Sequence, residues 1–165
     1  MQSLPTLGRL PRKILEKCVG AHRALTAHMA DTLADVEALT EMIIGCAIEV
    51  HRILGPGLLE SVYRERMIIE MKRAHLHVDS ERHVPIDYKG QRIGGALKLD
   101  LLVNGCIVVE LKAVERLHPI YIAQVITYLK LTGYPAGLLM NFNATTLRAG
   151  LRRLDHPDRY VKKTS

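Results

Sequence analysis

A chain of 165 residues is expected to form one domain, and with 48% apolar residues it can bury a substantial core. Its net charge of +6 favours an anionic partner such as nucleic acid. The three cysteines form no CxxC pair, which argues against a zinc knuckle and a disulfide framework. The sequence has neither a bilayer-spanning apolar run nor a secretory signal, so we expect a cytoplasmic protein without a membrane partner.

Residues 1–36 differ in composition from the rest of the chain. They are basic and are interrupted early by Pro5 and Pro11, so we expect an extension that is loosely helical or disordered. Met29 and Met42 leave open a start further along the chain, and the Arg-rich lead leaves open a transit peptide.

Two helices are predicted next, over residues 37–53 and 58–73, separated by the Gly-Pro-Gly segment 55–57. Glu60 lies three and four residues before Tyr63 and Arg64, beside the apolar stripe of the second helix. Taken alone, Glu60 could be a first-turn residue favoured by the helix dipole. The residues expected to face the core are Ile43, Ile44, Ala47, Ile48 and Val50 in the first helix, and Leu59, Val62, Tyr63 and Met67 in the second.

Strands are predicted over 82–88, 97–103 and 107–112, followed by a helix over 120–131 and a buried strand over 137–141. A right-handed crossover through this helix would place the last strand beside 107–112. The expected fold class is therefore α/β with a mixed sheet. Without a GxGxxG or GxxxxGK[ST] segment it is not a nucleotide-binding fold. Residues 148–165 are basic, and we expect them to fray.

The stretch 98–112 carries charged side chains inside two apolar strands. Asp100 lies in the first strand, and Glu110 and Lys112 share one face of the second. One interpretation is a solvated ladder of ion pairs, with Lys98 and Asp100 across from Glu110 and Lys112. The other is a cation site. Two carboxylates ~5 Å apart repel by about 3 kcal/mol at an effective dielectric constant of ~20, and a divalent ion reverses that repulsion.

The turn at Asn104-Gly105 decides whether Asp100 can join the other two charges. A two-residue turn would place Asp100 on the opposite face of the hairpin. A three-residue loop with a left-handed Gly105 would place Asp100 opposite Val108 and on the face of Glu110, and a bulge would restore the same face. A cation site needs one of these last two arrangements.

Four blocks of the sequence carry a family resemblance. They are residues 44–63, with Gly57-Leu58-Leu59-Glu60-Ser61-Val62-Tyr63 at their end, LDLLV (99–103), VVELKAVE (108–115) and AQVITYLKLTG (123–133). These blocks resemble the GxxExxY family, which is similar to the PD-(D/E)XK nuclease superfamily. The resemblance covers roughly residues 40–153. It implies a restriction-endonuclease-like core of order α-β-β-β-α-β with an extra N-terminal helix, over residues 37–153, followed by a basic tail over 154–165.

The resemblance also implies an active site. Asp100 matches the metal-binding aspartate of the superfamily, and Glu110 and Lys112 match the acid and the lysine of its ExK motif. Glu60 matches an acid of the first helix placed near the metal. Leu99 stands where the superfamily's name suggests a proline, a departure that is common in the group.

Further positions follow from the resemblance with other roles. Gln124 and Tyr128 match a QxxxY helix motif of the RecB-like branch, in which they would contact Lys112 or the nucleic acid. Glu49, His51 and Tyr63 lie in matching blocks without an assigned role, and a histidine near a helix end is more often structural.

These residues suit metal-dependent hydrolysis of phosphodiester bonds. Mg²⁺, or Mn²⁺, would be held by Asp100, Glu110 and the backbone carbonyl of Leu111, with Glu60 nearby, while Lys112 would orient water or offset negative charge. Lys98 would contact the nucleic acid, for which we expect DNA. The alternatives are a non-catalytic nucleic-acid- or protein-binding module on a nuclease fold, and a regulatory partner of another enzyme. A homodimer is left open, because many small nucleases dimerise to cut two strands.

Overall fold

The computed structural model describes residues 33–157, so most of the predicted N-terminal extension and of the predicted basic tail lies outside the described residues. The helices are α1 (Leu33–Leu54), α2 (Glu60–Arg73), α3 (Pro119–Thr132) and α4 (Leu147–Gly150). The strands are β1 (Val78–Tyr88), β2 (Gln91–Val103), β3 (Ile107–Lys112), β4 (Ala136–Asn141) and β5 (Leu151–Asp155). Within this part of the chain, no helix is both long enough and apolar enough to cross a membrane.

The strands form one five-stranded sheet in the order β1-β2-β3-β4-β5. All neighbouring pairs are antiparallel except β3 and β4, which run parallel because α3 carries the chain back between them. This parallel pair confirms the predicted crossover to the strand beside 107–112. The mixed sheet with helices on its faces, preceded by one extra helix, confirms the predicted fold class.

The sheet separates two buried apolar clusters. Val109 and Leu111 of β3 belong to the cluster that includes α1 and α2, whereas Val108 belongs to the cluster that includes α3. Two residues expected in the core are instead exposed, Ile48 at 52% and Leu59 at 75%. Leu59 is the N-cap residue of α2 rather than part of its buried stripe, which explains why helical spacing misplaced it.

The segment predicted to fray from residue 148 is ordered up to Asp155, and the prediction is corrected there. Thr146 caps α4 by accepting a hydrogen bond from the Ala149 N–H, and β5 then pairs with β4 along the edge of the sheet. Arg153 of this strand forms ion pairs with Glu37 of α1 and, at 3.1 Å, with Asp155. A basic strand forms at this edge because β4 supplies its backbone hydrogen-bonding partners. The sequence of β5 alone does not predict this pairing.

The turn between β2 and β3 determines the register of the hairpin. Asn104 and Gly105 both have positive φ, +50° and +66°, and the Cys106 N–H donates to the Val103 carbonyl at 3.0 Å. The ladder nevertheless pairs Val103 with Ile107, so Cys106 is an extra residue on the β3 side. The predicted pairing of Asp100 with Val108 is therefore wrong. The left-handed Gly105 is confirmed. The register depends on the added residue Cys106, and an added residue of this kind was one of the two arrangements that a cation site needs.

Candidate active site

Asp100 lies where the regular alternation of β2 breaks. Leu99 packs in the cluster with α3, and Leu101, only two residues later, packs in the cluster with α1 and α2. On the neighbouring strand, Glu81 has a φ of +51°, a conformation that costs a non-glycine residue about 1 kcal/mol or more. Both strands thus change face beside Asp100, which frees its side chain from the regular ladder.

The Asp100 carboxylate turns toward β3. Its Oδ2 accepts a hydrogen bond from the Leu111 N–H at 2.9 Å, although the regular β2–β3 ladder ends one residue earlier, at the pair of Leu101 and Val109. The bond brings Asp100 to the backbone between Glu110 and Lys112. The sheet therefore brings together the three charged residues that the sequence singled out.

Glu110 is a buried carboxylate, with 3% of the residue exposed. Its burial, and next the charge of Asp100, raise the pKa of Glu110 to about 7, against the opposing effect of Lys112. One carboxylate oxygen, Oε1, accepts a hydrogen bond from Lys112 Nζ at 2.6 Å. The other, Oε2, is buried and has no hydrogen-bond partner. Such an oxygen carries a desolvation cost that a positively charged ligand would remove.

Lys112 is held as an ammonium ion. Burial disfavours its charge, but the hydrogen bond to Glu110 and the charges of Glu110, Glu60 and Asp100 outweigh this and raise the pKa of Lys112 above its ordinary value. The Nζ atom also lies over the ring of Tyr121, 5.3 Å from the centroid. At neutral pH this side chain is therefore a hydrogen-bond donor and not a base.

The first turns of α2 supply two more charges. Burial raises the pKa of Glu60, on which Lys112 and Asp100 then act with opposite signs, so this half-buried carboxylate stands within electrostatic reach of the site. Arg64, one turn later, has its guanidinium 3.7 Å from Asp100 Oδ1 and 3.4 Å from Glu81 Oε1. The helix α2 thus adds one carboxylate, Glu60, and one guanidinium, Arg64, to the charged residues of the strands.

Tyr63 fixes the start of α2. This fully buried residue donates a hydrogen bond from its hydroxyl to the Gly55 carbonyl at 2.7 Å and accepts one from the Leu58 N–H at 3.1 Å. Its ring stacks on Phe142 at the end of β4, with the centroids 4.6 Å apart. Tyr63 therefore ties the loop before α2 to the sheet and so positions Glu60.

Gln124 and Tyr128 bind each other. The Gln124 Nε2 donates to the Tyr128 hydroxyl at 2.7 Å, and the Tyr128 ring packs in the cluster between α3 and the sheet. Lys98 lies on the exposed side of the hairpin, where its Nζ is 2.5 Å from Glu81 Oε1.

The two α1 residues with no assigned role lie in other surroundings. His51 Nε2 is 2.9 Å from the Ala144 carbonyl, a distance that corresponds to a hydrogen bond from the ring N–H. Glu49 pairs with Arg52 of the same helix at 2.7 Å. The His51 contact fixes α1 to the segment at Ala144, and the Glu49 contact lies within α1. Neither contact involves the carboxylates of Asp100 and Glu110.

Sequence reasoning missed two residues at the site. Asn141 is buried, and its side chain accepts from the Val114 N–H at 3.0 Å and donates to the Val114 carbonyl at 2.8 Å, which anchors the loop after Lys112. Tyr121 covers the Lys112 ammonium. The available signals were a polar residue closing an apolar strand and an aromatic residue one turn before Gln124.

The donor set can be compared with the needs of a divalent ion. Within residues 33–157 no three His, Cys, Asp or Glu side chains are grouped closely enough to hold a metal ion. Asp100 and Glu110 nevertheless offer hard oxygen donors, one of them the unpaired Oε2. Mg²⁺ suits such a pair, because it is bound through one or two carboxylates and keeps several of its waters. The residues present therefore fit a magnesium ion.

The fold and this site define a nuclease-like α/β protein, with two acids and a lysine gathered where neighbouring strands diverge. The family model of the PD-(D/E)XK nuclease superfamily matches residues 37–154, and the chain belongs to that superfamily. This confirms the superfamily resemblance, while the narrower GxxExxY assignment stays a prediction. Nucleases of the superfamily generally use divalent metals. Neither the curated proteins nor the solved structures yielded a match to the chain.

Proposed function

We propose that the protein is a Mg²⁺-dependent nuclease that hydrolyses phosphodiester bonds in DNA. The observation that carries this proposal is Glu110, whose Oε2 is buried without a partner beside Asp100 while its Oε1 binds Lys112. A buried carboxylate with a raised pKa next to a second acid is costly to fold and typical of functional sites. Most buried side-chain oxygens in proteins have a hydrogen-bond partner, so the unpaired Oε2 supports a site that binds a cation.

Asp100 and Glu110 would hold the ion, with the Leu111 carbonyl as a third ligand. A bound Mg²⁺ neutralises charge on the scissile phosphate and makes a water molecule a better nucleophile. The Arg64 guanidinium lies 3.7 Å from Asp100 and would turn away when a second positive charge binds there.

Lys112 would donate hydrogen bonds to the attacking water or to the phosphate. One of its three donors is engaged with Glu110, which leaves two for the reacting groups. Its raised pKa keeps it charged, so it would stabilise the negative charge that develops on the phosphate during attack. Glu60, which is coupled electrostatically to Lys112 and Asp100, would hold a water molecule next to the ion.

The remaining candidates would contact the nucleic acid. Gln124 and Tyr128, bonded to each other on α3, would meet the strand beside the site, and half-exposed Lys98 would neutralise a phosphate further away. The net charge of +6 supports an anionic substrate. Glu49, His51 and Tyr63 would serve the structure of the domain.

The test is hydrolysis of labelled single- and double-stranded DNA with Mg²⁺, with Mn²⁺ and with EDTA. We expect product only with a divalent ion, and its loss in Asp100→Asn. Asp79→Asn is the matched control, since Asp79 lies on β1 in an ion pair with Arg82 at 2.8 Å. The control should retain wild-type rates.

Two outcomes would overturn the proposal. One is identical behaviour of wild type and Lys112→Ala under every condition. The other is DNA binding that persists in EDTA and weakens steeply with salt while no product forms, which would favour a non-catalytic binding module.

A further inference from the structure

A second feature lies next to the proposed catalytic residues. The loop between β3 and α3, together with the first turn of α3, forms a cleft of about 520 Å³. Its lining residues are Val114, Glu115, Arg116, His118 and Tyr121. The volume falls in the range of clefts that hold small organic ligands, roughly 300–1,000 Å³.

Tyr121 connects this cleft to the charged residues of β3. The Tyr121 ring lines the cleft and also lies 5.3 Å from Lys112 Nζ, which in turn binds Glu110 at 2.6 Å. A ligand in the cleft would therefore lie one side chain away from the lysine that we place at the phosphate.

Hydrogen bonds from the end of β4 fix the segment that forms one wall of the cleft. Asn141 binds both the N–H and the carbonyl of Val114, and the Phe142 N–H donates to the Lys112 carbonyl at 2.8 Å. These bonds fasten both ends of the segment 112–114 to the end of β4. A wall fixed in this way does not have to be ordered when a ligand binds, which favours affinity.

The side chains of the cleft match the parts of a nucleotide. Tyr121 and His118 lie edge to face, with centroids 6.2 Å apart, and provide aromatic surface on which a base can stack. Arg116 is an exposed cation that can pair with a phosphate. Glu115 is an exposed acceptor that suits the amino group of a base and opposes a second phosphate.

We infer that the cleft binds one unpaired nucleotide of the substrate strand, next to the phosphate that is attacked. A base inside a duplex has both faces stacked and its pairing edge occupied, so it cannot enter without leaving the helix. The protein therefore prefers single-stranded DNA to duplex DNA. This inference rests on the proposed function and adds the form of the substrate to it.

The experiment measures binding of a fluorescent single-stranded oligonucleotide and of a hairpin duplex with the same label, in EDTA. The full chain carries Lys112→Ala throughout, which removes both turnover and the contact of Tyr121 with the lysine. Into this background Tyr121→Ala, Tyr121→Phe and Arg116→Ala are introduced. The control is Tyr88→Ala, because Tyr88 is an exposed tyrosine whose ring lies 5.5 Å from Lys89 Nζ at the far hairpin.

Tyr121→Ala should weaken single-strand binding about 10-fold, as loss of one stacked base does, while Tyr121→Phe and Tyr88→Ala retain it. Arg116→Ala should weaken it several-fold and make it less salt-dependent. Duplex binding should change little in all four variants. Single-strand affinity that is unchanged by Tyr121→Ala would overturn the inference, as would equal losses for single strand and duplex.

The two proposals fail in different ways. If wild type yields no product from any DNA with Mg²⁺ or Mn²⁺, the nuclease is rejected, whatever the cleft binds. If product forms from both substrates but Tyr121→Ala leaves single-strand affinity unchanged, only the cleft is rejected.

Discussion

Two lysine–glutamate pairs lie on neighbouring parts of the same sheet and differ mainly in burial. The side chains of Lys112 and Glu110 are 13% and 4% exposed, whereas those of Lys98 and Glu81 are 50% and 48% exposed. Their distances are almost equal, 2.6 and 2.5 Å. Yet burial raises the pKa of Glu110 to about 7, and the hydrogen bond from Lys98 lowers the pKa of Glu81.

The difference shows that surroundings, and not residue types, decide what an ion pair can do. At Glu110 the loss of solvent and the neighbouring Asp100 outweigh the lysine, so the carboxylate is poised to accept a stronger cation. At Glu81 solvent remains, and the hydrogen bond from Lys98, followed by the charge of Arg64, lowers the pKa.

The largest effect is expected when the buried lysine is removed. Lys112→Ala should lower the rate of DNA hydrolysis at saturating Mg²⁺ by about 100- to 1,000-fold, because a preorganised donor to the developing charge is lost. Single-turnover rates with wild type and variant measure it. Lys98→Ala is the matched control. Equal losses in the two variants would erase the functional distinction between the pairs.

The stability of the ion-free protein should depend on pH through Glu110. Between pH 4.5 and about 7, folded Glu110 retains a proton that unfolded chains have released, so stability falls as pH rises through this window. The full effect is at most roughly 3 kcal/mol. Urea unfolding in EDTA at several pH values measures it, and Glu110→Gln should flatten the slope. The same slope in both proteins would contradict the raised pKa.

Glu60 and Glu81 should also contribute to the pH dependence of stability in that experiment. The pKa of Glu60 is also raised, so it leaves a smaller slope of the same sign in the Glu110→Gln variant. The lowered pKa of Glu81 acts in the opposite direction, with stability lost only as pH falls below its ordinary value of 4.5.

Arg64 contacts both Asp100 of the proposed site and Glu81 of the exposed pair, and its removal should favour binding of the ion. Its guanidinium lies between Asp100 and Glu81, partly exposed at 22%. Arg64→Ala removes a competing cation worth about 1 kcal/mol, so Mn²⁺ should bind roughly 5-fold tighter in calorimetry. Arg73→Ala, which breaks an exposed pair with Glu70, should leave the affinity unchanged. Weaker Mn²⁺ binding in Arg64→Ala would assign the arginine a supporting role instead.

The smallest effect is expected at the exposed pair. Lys98→Ala should leave the hydrolysis rate at saturating DNA within about twofold of wild type. It should reduce the slope of log affinity against log salt by about one, as loss of one phosphate contact does. Binding titrations at several salt concentrations measure this slope. An unchanged slope would remove Lys98 from the nucleic-acid surface.

The sequence was informative wherever a local rule was broken. Asp100, Glu110 and Lys112 are conspicuous because each interrupts an apolar strand, and the Asn-Gly pair identified their hairpin. The register was not predictable, because the extra residue Cys106 leaves no mark in composition or alternation. The structure reaches the required face by a different pairing from the one predicted.

Features that depend on distant partners were beyond sequence reasoning. β5 exists because β4 offers a free edge and Glu37 pairs with Arg153, and its own arginine-rich sequence reads as a solvated tail. Tyr121 and Asn141 come beside Lys112 only after the crossover has aligned α3 and β4 with β3. Their spacing along the chain does not predict that they come close to Lys112.

A crystal of the protein soaked in Mn²⁺ would show whether Asp100 and Glu110 share a divalent ion. We expect an anomalous peak within coordination distance of Asp100 and of Glu110 Oε2, absent in crystals of the Glu110→Gln variant. A well-ordered site without a peak at saturating Mn²⁺, or a peak bound only by other residues, would contradict it.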